Sequence, residues 1–77
     1  MGLSKRLFGE VSKDEALEVA KAECERQDWP WVEPVSVRRE MPWSYRVMTN
    51  AKMRGGNVNV LVSARDGRIL RAGFARR

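Results

Sequence analysis

Alternating valines constrain this chain more than any other feature. In Asn57–Arg71, read as NVNVLVSARDGRILR, Val58, Val60 and Val62 alternate with Asn57, Asn59, Leu61 and Ser63. A period of two sends successive side chains to opposite faces, so the run predicts a half-buried strand. Asp66-Gly67 then supplies a tight turn, and Ile69 and Leu70 open a return strand. This hairpin sets the period of the whole C-terminal half.

Upstream the period changes to that of a helix. Ser12-Lys13-Asp14-Glu15 has the form of a capping box, in which Ser12 accepts from the Glu15 N–H and the Glu15 carboxylate reaches back to the Ser12 N–H. A helix over Ser12–Asp28 follows, with Val11 and Ala16 placed to close its entry as a hydrophobic staple. At about 3.6 residues per turn, Ala16, Leu17, Ala20 and Cys24 share one arc, flanked by Val19. Small residues dominate the arc, so the helix can approach a sheet closely.

Trp29-Pro30-Trp31 ends the helix, because Pro30 restricts the residue before it and donates no hydrogen bond. Pro34 closes the linker. Val35 and Val37, alternating with Ser36 and Arg38, predict a first strand. Met41-Pro42 is a break. Trp43, Tyr45 and Val47, alternating with Ser44, Arg46 and Met48, predict a second. Asn50–Gly56 is a turn region, Asn57–Ser63 a third strand, and Ile69–Phe74 a fourth.

The expected fold is α+β: one N-terminal helix packed on a three- to four-stranded antiparallel meander, a two-layer sandwich with the other sheet face open. The expected buried sheet face is Val35, Val37, Tyr45, Val47, Val58, Val60, Val62, Leu70, Ala72 and Phe74, with Trp43 on the same side. Residues 1–10 read as an N-terminal arm, in which Leu3, Leu7 and Phe8 form one amphipathic turn. Residues 11–75 read as the single domain, followed by a basic tail of Arg76 and Arg77.

Size and composition narrow the function. A chain of 77 residues buries roughly 60% of the surface its unfolded form exposes. A surface groove or an exposed sheet face suits it better than a deep enclosed site. Histidine is absent, which removes the commonest general base and the commonest metal ligand together. Gly55-Gly56 lacks the spacing and the Lys-Ser/Thr ending of a phosphate loop. No nucleophile stands beside a base in the pattern, so the expectation is no enzyme, no cofactor and no metal. Cys24 is the only cysteine, so no internal disulfide forms, which fits a reducing compartment. With no secretory signal and no apolar run near about 20 residues, the expected location is cytoplasmic, with no membrane partner.

The order of these residues resembles known small domains. A helix opening Ser-Lys-Asp-Glu-Ala with Ala16 and Ala20, then Trp43-x-Tyr45-x-Val47, then Gly55-Gly56 before Val58, Val60 and Val62, then Asp66-Gly67-x-Ile69, looks like the PepSY-like and cystatin-like domains. It is also similar to small nuclear-transport-factor-like immunity proteins of bacteria. The resemblance covers about 60 residues, Ser12–Arg71, and its matches are capping, core alternation and turn chemistry. It implies a helix cupped by a curved antiparallel sheet, and a non-catalytic module that binds or inhibits another protein or neutralises a toxin. Charge is the departure from that pattern, because many such domains are acidic or near neutral.

The formal net charge is +5, unevenly spread. Residues 10–28 hold seven acids against Lys13, Lys21 and Arg26, a net of −4. Residues 34–77 hold ten basic residues, nine of them arginine, against Glu40 and Asp66, a net of +8. Strand alternation points Arg38, Arg46 and Arg71 out from the open face, and Lys52 and Arg54 lie in the loop before Gly55. A planar guanidinium suits carboxylate and phosphate better than an ammonium does.

Trp29, Trp31, Arg38, Arg46, Lys52, Arg54 and Arg71 are therefore the candidate binding residues. The first reading is a protein-interaction module, binding or inhibitory, whose partner meets the arginine face or the Trp29–Trp31 edge. The alternative is a small basic nucleic-acid-binding protein using the same arginines. The plain structural readings compete with both: a solvated face whose arginines pair with Glu40 or with acids on a neighbour, and one or both of Trp29 and Trp31 capping the open end of the core. An uncovered sheet also allows a weak homodimer beside the monomer.

Overall fold

The computed structural model describes residues 11–40 and 43–75. The expected N-terminal arm, the Met41-Pro42 break and the Arg76-Arg77 tail lie outside the described residues. Helix α1 spans Lys13–Gln27, and strands β1, β2, β3 and β4 span Ser36–Glu40, Ser44–Met48, Asn57–Ser63 and Ile69–Ala75. The strands form one sheet in the order β1-β2-β3-β4, every pair antiparallel. This is the α+β meander that the periods predict.

Local chemistry fixes both ends of α1. Glu15 N–H donates to Ser12 Oγ at 3.1 Å and Ser12 N–H donates to Glu15 Oε1 at 2.9 Å, so the capping box is complete. At the other end Asp28 adopts a left-handed φ of 60°. Trp29 N–H then donates to the Cys24 carbonyl at 2.8 Å and Asp28 N–H to the Glu25 carbonyl at 3.2 Å. That is a Schellman ending, and it carries Trp29 back toward the buried stripe.

Ala16, Ala20 and Cys24 on α1 are buried against Tyr45, Val47, Val58, Val60 and Val62 of β2 and β3, with Val11 and Ala64 closing one end. Val11 N–H donates to the Ala64 carbonyl at 2.7 Å, which ties the helix entry to the end of β3. Each buried valine contributes about 1.5–3 kcal/mol relative to an exposed one. Leu17 and Val19 pack at the margin, only partly buried.

Glu23 is buried as well, although a helix acid is expected on the outer face. Its carboxylate accepts from Arg26 Nε at 3.0 Å, from Arg26 Nη2 at 2.6 Å and from Gln27 Nε2 at 2.8 Å. Those hydrogen bonds from Arg26, then Gln27, hold the Glu23 carboxyl below its ordinary range against the opposing effect of burial.

Two expectations for the buried face are corrected. Leu70 does not point inward and is 49% exposed. Leu61 pairs with Arg71 and Val62 pairs with Ile69, so one extra residue is inserted in β4 between them. This bulge reverses the alternation there, and Ile69 packs on the core instead. Trp43 does not pack with the core valines either. It precedes β2, is 47% exposed, and carries the Arg65 guanidinium 5.1 Å from its ring centroid.

Candidate functional site

The open face is built by register. Arg38 lies opposite Arg46, Arg46 opposite Leu61, and Leu61 opposite Arg71. Side chains directly opposite on one face of an antiparallel sheet are neighbours, so these residues form a row across all four strands. A second row runs beside it through Ser36, Met48, Asn59 and Gly73. Tyr45, Val47, Val58, Val60 and Val62 turn to the opposite face and the helix, and among the described residues no element lies over this face.

Like charges directly opposite repel, and Glu40 offsets that between Arg38 and Arg46. Arg46 Nε donates to Glu40 Oε2 at 2.7 Å and Arg46 Nη2 donates to Glu40 Oε1 at 3.3 Å. Arg38 Nη2 stands 4.0 Å from the same oxygen, Oε2. The hydrogen bond from Arg46 holds the Glu40 carboxyl below its ordinary range, helped by the charges of Arg46 and Arg38 and opposed by desolvation. The same bond raises Arg46. The plain reading of an arginine paired to Glu40 therefore holds for Arg46. Arg71, at the far end of the row, is exposed and makes no ion pair among the described residues.

A shallow groove of about 430 Å³ lies over this end of the face, lined by Arg46, Asn59, Leu61 and residues 71–75. Its floor is open because Gly73 has no side chain, and a Cβ built there meets nothing within 4 Å. Leu61 and Met48 give the centre of the face an aliphatic character. No aromatic ring stands in either row.

No protein-family model, no curated protein and no solved structure matches the chain.

The remaining candidates lie elsewhere. Lys52 and Arg54 are exposed in the loop that joins β2 to β3. That loop is held by Asn57, whose side-chain amide donates to the carbonyls of Thr49 and Asn50, each at 2.8 Å, and of Met53 at 3.3 Å. Gly55 and Gly56 finish it with φ of 83° and 71°, which side chains rarely adopt.

Trp29 and Trp31 are both partly buried against the core. The Trp29 ring lies 6.3 Å from that of Phe74, tilted by 43°. Trp31 lines a separate groove of about 810 Å³ beside α1, with Leu17, Ala22, Pro34 and Val35 and with the charged Glu18, Lys21, Glu25 and Glu33. The seven candidates thus divide among three places, and only Arg38, Arg46 and Arg71 meet in one row.

Leu61, Asn59 and Gly73 complete the face although none has a chemical signature of its own. The hairpin registers bring them there, and those are set by pairings between strands. Cys24 is buried, and desolvation, with the neighbouring Glu23 charge, pushes its thiol up, away from the reactive thiolate. No helix among the described residues is long and apolar enough to cross a membrane.

Proposed function

We propose that this chain is a non-enzymatic protein-binding module whose open sheet face takes an acidic segment of a partner. The observation that carries the reading is the row Arg38–Arg46–Leu61–Arg71, in which guanidinium groups flank an aliphatic centre. Arginine forks match carboxylates in two-point contact, and arginine and methionine, here Met48 beside the row, are enriched at protein interfaces. A single-stranded nucleic acid gains much of its binding from bases stacked on aromatic rings. Among the described residues the rows of the open face present none, and Glu40 sets a negative charge among the arginines.

Amide NMR titration tests the reading. The probes are a peptide of about eight residues alternating glutamate and valine and a short single-stranded DNA, each at about 50 and about 200 mM salt. The peptide is expected to shift Arg46, Leu61, Arg71 and Gly73, and Arg71→Glu is expected to weaken it about tenfold without loss of fold. DNA binding that fades steeply with salt, with the peptide silent, would put the nucleic-acid alternative in its place.

A further inference from the structure

The groove beside α1 lies on the helix side of the sheet and carries the opposite charge to the open face, so it is a separate surface. One wall is a single stripe of α1. Leu17, Lys21 and Glu25 stand four residues apart, with Glu18 and Ala22 beside them, and residues four apart share a helix face. The other wall is the segment 31–35 that leads into β1. Helix α1 packs chiefly on β2 and β3. Among the described residues no second helix lies against its flank.

The second wall is held in place by the loop that joins β2 to β3. Asn50 N–H donates to the Val32 carbonyl at 2.6 Å, and Ala51 N–H donates to the Pro34 carbonyl at 2.9 Å. Trp31 and Val35 pack against the core from this wall, and Leu17 does so from α1. All three are only partly buried and line the groove. The apolar strip is therefore formed before a ligand arrives, which lowers the ordering cost of binding. Tryptophan is among the residues that most often anchor an interface. The volume of about 810 Å³ is on the scale of known binding clefts, about 300–1,000 Å³.

Charge names the occupant. Glu18, Glu25 and Glu33 line the groove against Lys21 alone. None of the three glutamates makes an ion pair among the described residues. Their carboxylates repel phosphate, which disfavours nucleic acid and anionic lipid, and attract lysine and arginine. The stripe from Leu17 to Glu25 runs about 12 Å at about 1.5 Å per residue, a little over two turns.

We infer that this groove receives a basic amphipathic helix of a partner protein. The apolar side chains of that helix, three or four residues apart, lie on Leu17, Trp31 and Val35. Its lysines or arginines meet Glu18, Glu25 and Glu33. Helix-in-groove recognition of this kind takes affinity from the apolar anchors and selectivity from the charged groups around them.

Amide NMR titration of the full chain tests the inference with three peptides of about 15 residues, long enough to form a helix. One carries leucines at helical spacing and lysines elsewhere. The second has glutamates in place of the lysines, and the third has serines in place of the leucines. The leucine–lysine peptide is expected to shift Leu17, Lys21, Ala22, Trp31 and Val35, and to bind at least about tenfold more tightly than either of the others. Glu18→Lys combined with Glu25→Lys changes two exposed side chains. It is expected to keep the fold and to weaken that peptide about tenfold, with a larger effect at about 50 than at about 200 mM salt. Ala22→Arg, exposed on the same stripe, is expected to keep the helix and lose the peptide.

Equal binding of the glutamate peptide overturns the proposal, because charge then selects nothing. Equal binding of the serine peptide overturns it as well, since the groove is then only an acidic surface, and so does the absence of any shift. Two further results give the groove to another occupant and overturn the partner helix. Shifts at Leu17, Trp31 and Val35 caused in the free protein by Leu7→Ser with Phe8→Ser would assign it to residues 1–10 of this chain. A dimer in sedimentation that Ala22→Arg abolishes would assign it to a second copy. None of these results bears on the open face, whose probe carries the opposite charge.

Discussion

The side-chain amide of Asn57 donates to the carbonyls of Thr49, Asn50 and Met53, and Asn57 itself is buried. A buried carbonyl left without its donor costs about 1–3 kcal/mol. Asn57→Ala is therefore expected to destabilise the domain by about 2–3 kcal/mol. Its largest backbone amide shifts should fall in residues 49–56. A urea midpoint that hardly moves would mean that the loop closes through its glycines alone. The asparagine is plain in the sequence, but its role is not. Before the loop closes, Asn57 reads only as the polar partner of Val58 in an alternating strand, and the carbonyls it serves are brought together by the β2–β3 pairing. Glu23 poses the same difficulty. On a helical wheel it is one acid among several, and only the packed structure shows it buried with Arg26 and Gln27 around it.

Among the elements, β4 departs furthest from its pattern. Ile69 and Leu70 are adjacent and equally apolar, and strict alternation back from Phe74 and Ala72 assigns the inward place to Leu70. The bulge gives it to Ile69. The prediction is correspondingly sharp. Ile69→Ala is expected to cost about 2 kcal/mol or more, as truncation of a packed apolar side chain does. Leu70→Gln is expected to stay within about 0.5 kcal/mol, as an exposed substitution does. Thermal or urea unfolding of the two variants decides the matter, and the reverse ranking would put the bulge elsewhere. The helix shows no such ambiguity, because Ser12 and Glu15 cap it through contacts three residues apart. Local chemistry is visible in a sequence in a way that a shift of register is not.

At the scale of the whole molecule, charge separates by layer, with the helix acidic and the sheet arginine-rich. Its consequence for stability comes through Glu23 and Glu40, both held below the ordinary carboxylate range by hydrogen bonds from arginine. A carboxyl with a lowered folded-state pKa binds fewer protons folded than unfolded around its ordinary value, about 4.3. The stability it contributes is complete above that value. It is lost as pH falls through it toward the folded-state pKa. Stability should therefore change little from about pH 7 to pH 5 and fall below about pH 4. Protonation also raises the net charge above +5, so self-repulsion acts in the same direction. Urea midpoints measured across this range test the claim, and a midpoint that rises on acidification would contradict it.

What the sequence determines by itself is what nearest neighbours along the chain decide. A period of two makes the strands, a capping box and a proline bound the helix, and glycines with Asp66-Gly67 make the turns. From these follow the α+β class, the meander order and the valine core. The tertiary structure alone decides the placement of Leu70 and Trp43, the burial of Glu23, the pairing of Arg46 with Glu40, and the alignment of Arg38, Arg46, Leu61 and Arg71. The physical reason is that each of these depends on register between strands, or on packing between layers. A slip of one residue turns a side chain to the other face of the sheet. Registers are chosen by the summed burial of the whole core rather than by any residue in the row, so the face could be expected as arginine-rich but not drawn as a line.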